Sequence, residues 1–305
     1  MHATNKHLWL SLMTVAAFAL AGCGKSTDVT QANTGGTVAG SDAAQVAAVI
    51  DNNPEYADED VFSTNQIGSF EVGGGFSAVR PLRFFREITN VEKSRDVEFG
   101  APDADGNPTT ALVTLHRHLT GSFHLLAGST DPSDTTRTRI SKPLDDQWTR
   151  RMLLQRVKLP NDSLRWRLVG TSAAEARTVN GSTHLVSLRI QAAGVDTTIT
   201  DPLAMHRLRR IVLLPPGMPV TLTATTSAAS DVVLFYGRDM RRRFVNNNDG
   251  THTFQFTAGR FVGLGNFGVD ALSNGTLFDD TAAYDSNAWI FPFACDPARV
   301  PISGR

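Results

Sequence analysis

Apolar and polar residues alternate with a period of two through most of the chain after residue 68, which predicts β-strands. In residues 111–120, Val113, Leu115 and Leu119 share one face, while Thr114, His116, His118 and Thr120 share the other. Residues 103–108 (DADGNP) are turn chemistry, so residues 91–101 and 109–120 are expected to form a hairpin. Residues 147–159 and 163–171 form a second expected pair, with Leu164, Trp166 and Leu168 facing in and Arg165 and Arg167 facing out. Asn180-Gly181 is a strong hairpin signal and is expected to join residues 173–179 to residues 183–191. The apolar face of the latter would be His184, Val186, Leu188 and Ile190. Residues 83–88 (RFFREI) suit either a strand or a helical turn.

From about residue 203 the strands shorten. Candidates are 207–214, 219–226, 231–236, 241–246, 251–257, 265–272 and 287–293, with Asp249-Gly250 and Asn274-Gly275 as turn dipeptides. This spacing resembles bacterial immunoglobulin-like modules, with Trp289 and Phe291 as core anchors. Near the start, Val46, Val49 and Ile50 fall at helical spacing, with Asp42 placed to cap and Pro54 to stop one short helix. The segment from Leu144 to Leu154, followed by residues 164–168, is similar to the closing hairpins of the cone-shaped polyketide-cyclase-like fold. A β-sandwich is the competing reading of that region. The expected fold is therefore mainly β: an α+β or β-sandwich first domain over 42–200, then an Ig-like β-sandwich over 203–295.

The amino terminus has a different texture. Residues 1–7 carry Lys6 and no acid, and Leu8 to Leu20 is an apolar run of 13 residues. That is short of the roughly 20 residues a bilayer-spanning helix needs, and it matches a secretory signal peptide. Leu20-Ala21-Gly22-Cys23 follows and resembles the lipobox of bacterial lipoproteins at all four positions. The resemblance implies a signal peptide over 1–22, cleavage between Gly22 and Cys23, and covalent lipid on the Cys23 sulfur. Only a thiol is nucleophilic enough to take the lipid there. Gly24 follows the cysteine where Asp would favour the inner membrane, so the resemblance implies a bacterial envelope protein held at the outer membrane rather than the inner. As a whole the chain resembles envelope lipoproteins with a C-terminal Ig-like domain. Residues 23–41 are rich in Gly, Ser, Thr and Ala and read as a flexible tether.

The chain has 305 residues and a formal net charge of −1, so no global field recruits nucleic acid. Two cysteines exclude a disulfide scaffold. Residues 24–62 hold seven acids and one Lys, an acidic arm before a mildly basic body, read as a solvated spacer. Gly24-Lys25-Ser26 looks like the end of a phosphate-binding loop, but Ala19 stands where its first Gly is required.

Three constellations could carry chemistry. His116 and His118 lie two apart on one strand, and His124 has the same parity, so three imidazoles on one face could hold Zn²⁺ or Cu²⁺. A solvated sheet face is the preferred alternative, because no acid or thiol on that strand completes the set. Asp279, Asp280, Asp285 and Asn287, with Asp270 upstream, offer oxygen ligands for Ca²⁺, although ordinary loop duty outweighs that reading. Arg165, Arg167, Arg207, Arg209, Arg210 and Arg241 to Arg243 could meet acidic headgroups or another polyanion. No Gly-x-Ser-x-Gly elbow or His-Glu-x-x-His helix is present, and Cys295 lacks a basic neighbourhood in sequence. The expected body is a non-catalytic binding or structural module with the membrane, through its anchor, and an envelope protein or polyanion as partners, and with no cofactor. The alternative is a small-ligand carrier or enzyme using a pocket within residues 60–200.

Overall fold

The alternating runs condense into a few very long strands followed by many short ones. The computed structural model describes residues 40–57, 68–69, 79–129, 131, 133, 135–160, 163–208, 211–214, 216–237, 240–259 and 264–294. Along the chain come α1 (Gly40–Asp51), α2 (Pro54–Ala57), β1 (Gly68–Ser69), β2 (Arg80–Phe99), β3 (Thr110–Gly128), β4 (Arg137–Lys158) and β5 (Leu164–Thr178). Then follow β6 (Leu185–Ala192), β7 (Val195–Ile199), β8 (His206–Arg207), β9 (Val212–Leu213), β10 (Pro219–Thr226), β11 (Val232–Gly237) and β12 (Met240–Arg243). The last are β13 (Val245–Asn246), β14 (Thr251–Thr257), β15 (Leu264–Leu272), α3 (Asn274–Phe278) and β16 (Ser286–Ala294). The fold is mainly β, as the alternation predicts.

Two antiparallel sheets result. The large one runs β1-β2-β3-β4-β5-β16-β15-β11-β12, with β8 on β5 and β9 on β16; the small one runs β13-β14-β10-β6-β7. Both sheets draw strands from either side of the expected division between residues 200 and 203: β5 pairs with β16, and β6 with β10. The Asn180-Gly181 turn, with Asn180 at φ 61°, does not close a hairpin. It carries the chain from the large sheet to the small one, because β5 pairs with β4, β16 and β8 while β6 pairs with β10 and β7. Val186 is the extra residue of a bulge against β10 and is half exposed, so Leu185 takes the inward place expected for it. Asn274-Gly275 opens α3 rather than a turn, with Ser273 accepting from the Thr276 N–H as its cap.

Three cores organise the molecule. Val46 and Ile50 of α1, with Tyr56, pack on Val113, Met152, Leu154, Trp166 and Leu168 of the large sheet. Asp42 lies inside α1 rather than capping it, and its buried carboxylate takes Arg156 and the Trp166 Nε1. The Asn53 side chain donates to the Val49 carbonyl at 2.6 Å and satisfies an end of that helix. The second core is the sandwich between the sheets, where Leu188, Val220 and Leu222 meet Phe235, Phe267, Val269, Trp289 and Phe291. The third joins Phe84, Phe123, Leu125 and Leu144 of β2 to β4 with Val232, Leu234 and Tyr236 of β11. Since alternate residues of β11 enter the second and third cores, the large sheet must curl until its far end faces its beginning. That explains why Val232 to Tyr236 is an unbroken apolar run: both of its faces are buried.

Curling is assisted by bulges in β2, one between Ile88 and Asn90 opposite Gly121. A Cβ at Gly121 would stand 1.9 Å from the Glu87 carbonyl oxygen. Gly121→Ala is therefore expected to cost about 1–3 kcal/mol in urea unfolding, as overpacking does. A loss under a few tenths would show that the bulge shifts freely.

Candidate functional site: a histidine and carboxylate strip over a buried polar clasp

On β3, odd-numbered residues enter the cores and even-numbered residues face outward, so His116, His118 and His124 do share a face. They do not converge. His118 and His124 stand six residues apart, about 20 Å along a strand. Each ring is instead engaged by carboxylates of neighbouring strands. His116 Nε2 lies 3.2 Å from Asp96 Oδ2 on β2, and its Nδ1 lies 3.5 Å from the Thr149 hydroxyl on β4. His118 sits between Asp145 Oδ1 at 2.6 Å and Glu92 Oε2 at 3.6 Å. The hydrogen-bonded Asp145 carboxylate, helped by Glu92, holds the His118 imidazole above its ordinary pKa. His124 is buried between Glu87 Oε2 at 2.7 Å and the Ser141 hydroxyl at 2.8 Å, with its ring centroid 4.7 Å from that of Phe85.

Register makes this strip: His118 pairs with Glu92 on one side and Gln147 on the other, and His116 pairs with Ser94 and Thr149. A cleft of about 350 Å³, open to solvent, is lined by Glu92, His116, Arg117, His118, Gln147 and Thr149 among others. It can donate and accept hydrogen bonds on both sides. Among the described residues no group of three or more His, Cys, Asp or Glu side chains is arranged to hold a metal ion.

The aspartates proposed for calcium are likewise spent individually. Asp285 accepts from the Ser182 and Thr183 backbone and pins the Asn180-Gly181 turn. Asp279 folds back on Thr281, whose hydroxyl and N–H bonds lower its pKa, and its carbonyl accepts from the buried Lys142 at 2.6 Å. Asp280 is exposed, and Asn287 binds the Leu185 N–H and Glu175. Asp270 belongs elsewhere. Of the arginines, Arg165 and Arg207 are exposed on the sheet, and Arg241 is stacked on Phe84 and Tyr236 at 4.7 and 4.4 Å. Gly22, Cys23, Arg209, Arg210 and Cys295 lie outside the described residues.

Beneath the strip, inside the third core, lies a cluster that the sequence reading did not assemble. The Arg86 guanidinium from β2 meets Asp270 from β15 with both of its terminal nitrogens, at 2.9 and 3.2 Å. Its Nε donates to the Tyr284 hydroxyl at 2.7 Å, and the Tyr236 hydroxyl donates to Asp270 at 2.8 Å. Tyr284 in turn donates to Asp146 of β4 at 2.9 Å, and the Thr178 hydroxyl donates to the other Asp146 oxygen at 2.9 Å. Burial would lower the Arg86 pKa, yet the Asp270 carboxylate holds it well above its ordinary value. Burial also pushes the Tyr236 phenol up to about 12 and raises that of Tyr284, so both stay neutral. Among the described residues no cation bonds the Asp146 carboxylate directly, and burial lifts its pKa to about 6 against the Arg86 field. The signal was present: Asp146 and Arg150 occupy the same parity as Leu144, Trp148 and Met152, so charge stands on the inward face of β4. The cluster ties the beginning of the large sheet to its far end.

No family model, no curated protein and no solved structure matches this chain.

Proposed function

We propose that this protein is a bacterial lipoprotein, lipid-anchored at the cell envelope through Cys23, whose β body is a non-catalytic binding or structural module. The observation that carries the reading is Leu20-Ala21-Gly22-Cys23 placed directly after an apolar run too short to span a bilayer. Two or three acyl chains on that cysteine would make anchoring effectively permanent. Among the described residues no helix is long and apolar enough to cross a membrane, so helical anchoring by the body is not in competition there. Gly24 favours the outer membrane in this reading.

His116, His118 and His124 each lie beside a carboxylate of a neighbouring strand, and Arg86 and Asp270 pair across the sheet curl. A rigid scaffold with polar outer strips suits adhesion or ligand capture. A second reading, a small-ligand carrier, is favoured by one observation: clefts of about 350 and 390 Å³ open on the faces of β2 to β5.

The decisive test is Cys23→Ser in cells, followed by membrane fractionation and mass analysis of the amino terminus. The expected wild-type product begins at Cys23, carries acyl mass and sediments with membranes, whereas the serine variant keeps residues 1–22 and loses the acyl mass. Unchanged membrane partitioning, or a wild-type chain that retains its first 22 residues, overturns the anchor.

A further inference from the structure

Two arginines, Arg167 and Arg207, stand over an apolar hollow on the large sheet. Thr110 on β3 lies directly opposite Gln155 on β4, and Gln155 lies directly opposite Arg167 on β5. Directly opposed side chains project to the same face about 5 Å apart, so register alone builds a polar row across three strands. Beside it, β8 attaches to β5 with Arg207 opposite Gly170. A Cβ at Gly170 would come within 2.9 Å of the His206 carbonyl, so this position admits β8 because it has no side chain. The result is a hollow of about 390 Å³, within the range of ligand pockets, with Arg167 and Arg207 on its rim and Leu153, Val157 and Val169 in its lining.

Its charge is one-sided. No lining residue is acidic. The Arg167 Nε is buried with no hydrogen-bond partner among the described residues. An Nε closed off from solvent is closed to a ligand as well, so what the hollow offers an anion is the remainder of the Arg167 guanidinium together with Arg207. A guanidinium fork matches the planar or tetrahedral oxygens of carboxylate and phosphate. The apolar lining would be wasted on a free inorganic ion and suits an attached alkyl chain.

We propose that this hollow binds an anionic amphiphile, a carboxylate or phosphate carried on an alkyl chain, with Arg167 and Arg207 holding the head group and Leu153, Val157 and Val169 covering the first carbons of the chain. Thr110 and Gln155 complete the hydrogen bonds to the head. The proposal deepens the ligand-binding side of the reading above and is independent of the Cys23 anchor.

Calorimetric titration of the full chain with dodecyl phosphate, below its micelle concentration, tests it. Saturable 1:1 binding is expected, with inorganic phosphate and dodecanol each at least tenfold weaker. Arg207→Gln and Arg167→Gln should each weaken dodecyl phosphate by roughly 10- to 100-fold, as loss of a charge-assisted hydrogen bond does. Arg207 is exposed, so its variant keeps the fold even if that of Arg167 does not; thermal melting reports this. Equal affinity for dodecanol, insensitivity to Arg207→Gln, or binding seen only with phosphatidylglycerol vesicles and not with the monomeric amphiphile overturns the proposal. Failure of Cys23→Ser to alter partitioning would leave this result untouched, so the two readings fail separately.

Discussion

Asp270→Ala is expected to remove about 3–5 kcal/mol of stability, the cost of leaving a buried cation without its partner. Asp270 is wholly buried, accepts both Arg86 terminal nitrogens and takes the Tyr236 hydroxyl. Without it, the guanidinium loses the carboxylate that meets both of its terminal nitrogens. The double variant Arg86→Met with Asp270→Leu should lose much less than the single one, because apolar groups of similar volume need no compensation. Urea unfolding of the wild type and both variants measures the difference. The effect should reach beyond the site, since the pair spans 184 residues of sequence and closes the curl. Amide exchange along β2 and β15 should accelerate in the single variant. A loss below about 1 kcal/mol would mean that the third core holds the curl without this ion pair.

The second large effect concerns pH. Asp146 titrates at about 6 in the folded protein against an ordinary 3.8. Above pH 6 the carboxylate is ionised in both folded and unfolded chains, and folding carries the full cost of burying it. As pH falls from 6 to about 4, the folded chain takes up a proton that the unfolded chain does not, so this group makes the protein more stable. Two pKa units correspond to about 3 kcal/mol across that window. Carboxylates with lowered pKa values, such as Asp249 and Asp279, lose stability in acid and pull the other way. The informative quantity is therefore the difference between wild type and Asp146→Asn. Relative to that variant, the wild type should gain up to about 3 kcal/mol between pH 7 and pH 4. Parallel stability curves for the two proteins would contradict the assignment. Asp146 sits among Arg86, Thr178, Tyr284 and Asp270.

Much of the β architecture was legible because strand periodicity is local. Residues 219–226 and 251–257 are strands with the expected bounds, and residues 83–88, ambiguous by themselves, extend β2. Trp289 and Phe291 are core residues as expected, and so are Val46 and Ile50 on α1. Partner choice was not legible. An Asn-Gly turn reverses the chain equally well whether the next strand pairs with the previous one or enters another sheet, and only the burial of Leu185, Leu188 and Ile190 against the sandwich decides. The histidine strip was half visible. Parity put His116, His118 and His124 on one face, but their carboxylates come from β2 and β4, and the register of β2 shifts at a bulge beside Ile88.

What the sequence by itself determined is much of the strand content and the face that most strand residues present, since these follow from spacing along a single segment. Which strands become neighbours, how far the large sheet curls and which charges meet inside it were decided by tertiary structure alone. Arg86 and Asp270, or Arg167 and Arg207, acquire meaning only when distant strands are brought side by side. The free energy that selects those pairings comes from burying three cores at once, and no local window contains it.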